Sequence, residues 1–234
     1  PHLASSAASD VYKRQKHVHQ KKRKKISLIQ NKALELSMFL SIPASVALVI
    51  GSEQIISALF GYGSFTENSV FNSSNALYYF GLGLPAFALI KVFSTFFFAN
   101  HDTKTPFYIS LVSVLLNILI SVYFFKDIGF IIIPIATTIS SWFNSLILFI
   151  YLKNNNLFEF NKFFFKQFVK IIFASIMMGI FFQYLILLFE NQLSYTYLFK
   201  SAYLLLCVLF TIIFYFTLSY FIKAFNYQDI KLKY

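Results

Sequence analysis

The sequence is short of most of what soluble enzymes and metal proteins use. It has one cysteine, Cys207, set in an apolar run. No disulfide can form within the chain, and a thiol at such a place reads as packing rather than chemistry. Acidic residues number nine in 234, and they fall at the ends of apolar segments or in loops. There is no DxxD-type carboxylate pair of the kind prenyl-phosphate enzymes use, no Gly-rich phosphate loop and no Cys/His metal spacing. No catalytic constellation emerges. Strand alternation, heptads, Gly-Ser linkers and short repeats are missing as well, which leaves helices that satisfy their own backbone as the spanning structure.

What is present is apolar. The chain is 58% hydrophobic and 12% charged, against about 25% charged for a soluble domain, and its mean hydropathy is +0.65. These values describe a membrane protein. Six apolar segments follow one another: Ala33–Phe60 with a kink expected near Pro43, Ala76–Ala99, Phe107–Phe125, Gly129–Leu152, Phe165–Phe189 and Leu198–Ile222. Each is long enough to cross a hydrocarbon core, which takes roughly 20 residues. The expected fold is an all-α, polytopic membrane helix bundle of six transmembrane helices. Residues 1–15 differ in character from the rest, and SDVYKRQ at Ser9–Gln15 looks like a translated adapter, so they are set aside as a non-native scar. With no initiator methionine before Pro1, the chain reads as a fragment.

The positive charge is uneven. Lys13, Arg14, Lys16, Lys21, Lys22, Arg23, Lys24, Lys25 and Lys32 are nine of the 20 Lys and Arg. Beside a membrane span such a block faces anionic headgroups and fixes orientation, so nucleic acid is not an expected partner. The loops alternate. Basic residues mark 16–32, Lys104, Lys153–Gln167 and the tail from Lys223, while Gly61–Asn75 and Glu190–Phe199 have neither Lys nor Arg and Lys126 is balanced by Asp127. This pattern places both ends in the cytoplasm. Tyr78 and Tyr79 suit an interfacial belt.

Few residues could carry chemistry. Lys91 lies about ten residues before the turn at Asn100–Pro106, or roughly 15 Å along a helix. That is too far for its stem to reach the interface, so it faces protein or water. Two readings stay open: a buried partner for a carbonyl or carboxylate, or a cation that meets an anionic substrate in a cavity. The turn NHDTKTP reads as helix punctuation built on Asp102, Thr105 and Pro106, with Thr105 as N-cap and Pro106 at the first helical position. His101 beside Asp102 has no second ligand or nucleophile nearby. Ser110, Ser113, Asn117 and Ser121 form one polar stripe, and Thr137, Ser141 and Ser145 another. Such stripes pack helices together, and they also line aqueous paths or ion sites. Asn117 is the most informative, because a mid-span carboxamide needs a partner.

The order SIPASVAL (Ser41–Leu48), LFGYGSFT (Leu59–Thr66) and ALYYFGLGLPAFALIKVFSTFFFANHDTKTP (Ala76–Pro106) resembles the lipid II flippase family of MurJ/MviN type, within the multidrug/oligosaccharidyl-lipid/polysaccharide exporter superfamily. The motif order covers Ile26 to Leu152, and the last two spans match by position and hydropathy.

The resemblance implies fourteen spans in two lobes plus a terminal helix pair that forms a groove for the prenyl tail. It divides this chain into a basic cytoplasmic segment (16–32), the last four helices of the second lobe (33–152), a cytoplasmic loop (153–164), the terminal lipid-tail pair (165–222) and a cytoplasmic tail (223–234). It implies a transporter of the bacterial inner membrane, not an enzyme. Undecaprenyl-linked lipid II would be flipped by alternating access, with the missing amino-terminal half and membrane lipids as partners. Lys91 and Asn117 become candidates for the substrate cavity. Asn117 and Thr137 become a candidate sodium site, in which Ser121 stands where the family has an Asp. No other cofactor is implied, and membrane potential is the alternative driving force. The rival readings are an O-antigen or multidrug exporter of the same superfamily, an intramembrane polyprenyl-lipid enzyme and a non-transporting scaffold of the cell-wall machinery.

Overall fold

A computed structural model describes the backbone of residues 2–224 and the side chains of residues 24–161 and 163–224. The tail lysines Lys231 and Lys233, and the side chains of the adapter-like stretch, lie outside the described residues. The helices are α1 (His2–Ile50), α2 (Ser52–Phe60), α3 (Glu67–Ala99), α4 (Lys104–Ile128), α5 (Ile132–Asn154), α6 (Lys162–Leu188), the single turn α7 (Glu190–Leu193) and α8 (Lys200–Phe221). A 3-10 turn at Gly129–Ile131 joins α4 to α5. There is no strand among the described residues.

Among the described residues, five continuous stretches are long and apolar enough to cross a membrane: Lys24–Ile50, Glu67–Ala99, Lys104–Asn154, Phe163–Leu188 and Lys200–Phe221. The third is 51 residues long, and Gly129 folds it back on itself. That residue has φ 73° and ψ −153°, a conformation almost confined to glycine. The two halves then run antiparallel, because Asn117 meets Thr137 nearer the turn while Ser110 meets Asn144 farther from it. Six apolar helices result, as the segment pattern suggests, and the chain is a multi-pass, all-α membrane protein.

Three local expectations are corrected. The first segment is two helices, α1 and α2, divided at Gly51, with Pro43 inside α1. At Gly51 a Cβ would lie 2.6 Å from the Phe182 ring of α6, so the helix changes direction where a neighbour comes closest. Lys126 and Asp127 belong to the last turn of α4, not to a polar loop. The N-cap of α4 is Thr103, not Thr105, and Pro106 sits in the third helical position. The Asp102 carboxylate accepts from the Thr105 N–H at 3.0 Å, which places the capping oxygen on Asp102.

Prolines inside the helices tie the bundle together. A proline in a helix leaves the carbonyl four residues earlier without its N–H partner. For Pro85 that carbonyl is Gly81, and the Ser45 hydroxyl of α1 donates to it at 2.7 Å. For Pro43 it is Phe39, and the Tyr215 hydroxyl of α8 donates to it at 2.8 Å. Each proline thus creates an acceptor that a neighbouring helix uses. Between α3 and α5, Thr138 donates to the Tyr79 carbonyl (2.7 Å) and Trp142 to that of Leu82 (3.1 Å). Those two helices therefore run in the same direction.

Loops gather at two ends. At one end the start of the described part of α1, the α3–α4 turn and the α5–α6 loop meet in a knot of aromatic side chains. Phe96 stacks on Phe158 (centroids 5.6 Å apart) and Phe160 on Phe164 (5.2 Å). Amides on α1 grip the same loop: Gln30 donates to the Leu157 carbonyl and Asn31 to that of Glu159. Lys170 donates to the Lys223 carbonyl at 3.0 Å, bringing the end of α8 to this side. The opposite end holds α2, the loop after it, α7 and the start of α8, packed over Phe182, Leu185 and Leu204. The loops read as basic lie on the first side.

Candidate functional site

Two features of the membrane-embedded part stand out: a polar groove between α4 and α5, and a lysine on the open side of α3. The groove has a volume of about 310 Å³ and is lined by Ser110, Ser113, Asn117, Thr137, Ser140, Ser141 and Asn144. Its hydrogen bonds fix the orientation of Asn117. The Thr137 hydroxyl donates to the Ile133 carbonyl and the Ser140 hydroxyl to that of Thr137. With their protons committed, both oxygens can only accept, so Asn117 turns its amide nitrogen to them, at 3.0 and 3.3 Å. Its Oδ1 accepts from the Ser121 hydroxyl at 3.4 Å.

The sequence stripe named Ser145, which instead donates to the Trp142 carbonyl and is not part of the groove. Ser140 and Asn144 went unread, although both lie at helical spacing from Thr137. Asn144 is 7% exposed, with its amide nitrogen 3.5 Å from the Ser110 hydroxyl.

Lys91 is exposed on α3, on a face shared with Phe87, Thr95 and Phe98. Its ammonium group has no hydrogen-bond or ion-pair partner among the described residues, so the reading as a buried structural partner is not what this chain shows. Lys91 does not line the α4–α5 groove that holds Asn117. Phe93, next to Lys91, packs on Phe149, whereas Asn117 packs on Thr137 and Ser140. That difference along α5 separates the two by roughly 10–15 Å.

A second cavity is apolar. It has a volume of about 440 Å³ and lies between α1, α6 and α8, with Phe39, Pro43, Met178, Phe182, Val208 and Phe216 among its walls. Outside the membrane, hydrogen bonds from the Thr105 side chain and backbone hold the Asp102 carboxyl below its ordinary pKa. His101 has φ 59° in the same turn and joins no metal-binding cluster, and none exists among the described residues.

With this geometry in view, comparison with known proteins identifies the family. The family model described as "Lipid II flippase MurJ" matches residues 15–226. The chain belongs to the MurJ family of lipid II flippases. A probable lipid II flippase MurJ of Rhizobium meliloti is 39% identical over 52% of this chain and 23% of its own length. One from Rickettsia prowazekii is 37% identical over 53% of this chain and 24% of its own. The Buchnera aphidicola (subsp. Baizongia pistaciae) relative is 32% identical over 72% of this chain and 32% of its own. A solved lipid II flippase MurJ in an inward closed conformation superposes with a TM-score of 0.69 at 26% identity, covering 90% of this chain and 41% of that one. The chain thus spans about a quarter of the length of the first two MurJ relatives.

The MurJ resemblance implies sodium at Asn117 and Thr137, and the groove does not fit that ion. Asn117 presents nitrogen rather than oxygen to Thr137, Ser121 occupies its Oδ1, and no carboxylate lines the groove among the described residues. A sodium site needs converging oxygens, and this one is closed by neutral hydrogen bonds.

Proposed function

We propose that this chain is the carboxyl-terminal part of a transporter that moves undecaprenyl-linked lipid II from the cytoplasmic to the outer leaflet of the bacterial inner membrane. The observation that carries the reading is the family match over residues 15–226. The bundle supplies matching parts. Lys91 puts an unpaired cation on an open helix face inside the membrane-spanning region, where it attracts a pyrophosphate. The apolar cavity between α1, α6 and α8 offers a wall for a prenyl chain, and the missing amino-terminal half closes the pathway around Lys91. Both ends face the cytoplasm, since the basic loops share one side. No bond is made or broken, so the protein is a transporter rather than an enzyme. Membrane potential drives the cycle, at about 2.3 kcal/mol per charge per 100 mV.

The test uses the full-length protein. Lys91→Ala abolishes rescue of a flippase-depleted strain while membrane abundance stays at the wild-type level. Exchange of sodium for potassium leaves the transport rate of the reconstituted wild type unchanged. Normal rescue by Lys91→Ala would reduce Lys91 to a bystander, and a rate that follows sodium would reinstate the ion site.

A further inference from the structure

Lys200, at the first position of α8, is 1% exposed. Its ammonium group donates to the Gly61 carbonyl at 2.7 Å and to the Tyr195 carbonyl at 2.6 Å. The same nitrogen lies 4.5 Å from the ring centroid of Tyr62 and 4.6 Å from that of Tyr195. No acidic residue pairs with it among the described residues. Burying a cation costs several kcal/mol unless its environment replaces water. Here two carbonyls and two aromatic faces do so. Gly61 is required for the fit, since a Cβ there would come within 2.6 Å of the Ser57 carbonyl and 3.0 Å of the Lys200 nitrogen.

The cage joins parts of the chain far apart in sequence. Gly61 and Tyr62 belong to the α2–α3 loop, Tyr195 to the α7–α8 connection and Lys200 to the start of α8. Neighbouring bonds double the joint: Ser201 donates to the Ala58 carbonyl at 2.6 Å, and Tyr195 donates through its hydroxyl to that of Phe65 at 2.7 Å. At the opposite end Gln30 and Asn31 hold the α5–α6 loop to α1. Between the ends, Gly179 of α6 lies so close to α1 that a Cβ would meet Val46 at 2.6 Å. The pair α6–α8 is therefore fastened to α1–α3 at three heights, and α4 takes no part in any of these ties.

We infer that Lys200 is a positioning residue: it clamps the terminal pair to the α1–α3 unit so that both move as one body and the apolar cavity between α1 and α8 keeps its width while the substrate is moved. The consequence for a lipid tail rests on the function proposed above. The clamp itself does not.

The experiment places spin labels at Asn68 and Leu198 of the full-length protein, both exposed, and measures their separation with and without lipid II. The wild type gives one narrow distance distribution that does not shift when lipid II is added. Lys200→Met broadens it, and transport of long-chain lipid II falls relative to a short-chain analogue that does not fill the cavity. Tyr62→Ala, which removes an exposed ring and leaves the interior packed, gives a smaller broadening if Lys200→Met fails to accumulate. A narrow distribution retained in both variants, or two separations in the wild type, overturns the clamp. Wild-type protein that holds the distance but moves no lipid II overturns the transport reading and leaves the clamp standing.

Discussion

At the scale of single residues, the α3–α4 turn shows how one carboxylate organises a helix start. The Thr105 hydroxyl and N–H favour the ionised form of Asp102, so its folded pKa lies below the unfolded one. Such a group contributes stability above its unfolded pKa and loses it as pH falls through the folded value. Asp102→Asn is therefore expected to lower the melting temperature of detergent-solubilised protein at pH 7, with the difference from wild type shrinking once the pH drops below about 4. A difference that persists undiminished to pH 3 would show that the carboxylate's charge is irrelevant. Asn117 was readable as a residue that needs a partner, and the structure supplies Thr137 and Ser140. Its amide orientation was not readable, because it depends on where two neighbouring hydroxyl protons go. Lys200 escaped for a related reason. Its partners are backbone carbonyls in two loops, one of them about 140 positions away, and no side-chain pattern marks a carbonyl.

Helix pairs add a rule that spacing alone does not give. Pro85 is visible in the sequence, and so is the carbonyl it must free; which hydroxyl answers is a matter of packing. Ser45→Ala should cost about 1–3 kcal/mol, since it leaves the Gly81 carbonyl buried without that donor. In a Pro85→Ala background the new N–H supplies the carbonyl from within α3, and the same serine change should cost close to nothing. Thermal or denaturant melts of the four proteins measure this coupling, and equal costs in both backgrounds would remove the proline from the explanation. The six apolar segments were legible because each carries its own hydropathy, which a bilayer reads directly. The break at Gly51 was not, since it follows from the approach of Phe182 in α6. The capping oxygen was misplaced by three residues because Asp102, Thr103 and Thr105 all suit an N-cap, and only the backbone path chooses.

Across the whole molecule the unfilled surfaces are informative. Leu119, Val122 and Tyr123 of α4 are 68%, 71% and 76% exposed, and the groove between α4 and α5 opens on the same pair of helices. α6 and α8, by contrast, are fastened to their neighbours at both ends. Ile180 of α6 and Ile213 of α8 are nevertheless each 60% exposed, so lipid or further protein covers both sides of the bundle. Gly129 bears on how such a chain enters a bilayer at all. The helical stretch from Lys104 to Asn154 is apolar on both sides of Lys126 and Asp127, and an inserting chain could take it as one crossing or two. The number matters because it is a question of parity: one crossing would send α6, α7 and α8 into the membrane upside down. Gly129→Val should therefore yield a mixed population in which a cysteine at Lys153 is labelled from the outer face in part of the molecules. Labelling from the inner face alone, at undiminished abundance, would transfer the decision to Lys126 and Asp127. One hydrogen atom in place of a side chain then sets which way up everything made after it stands.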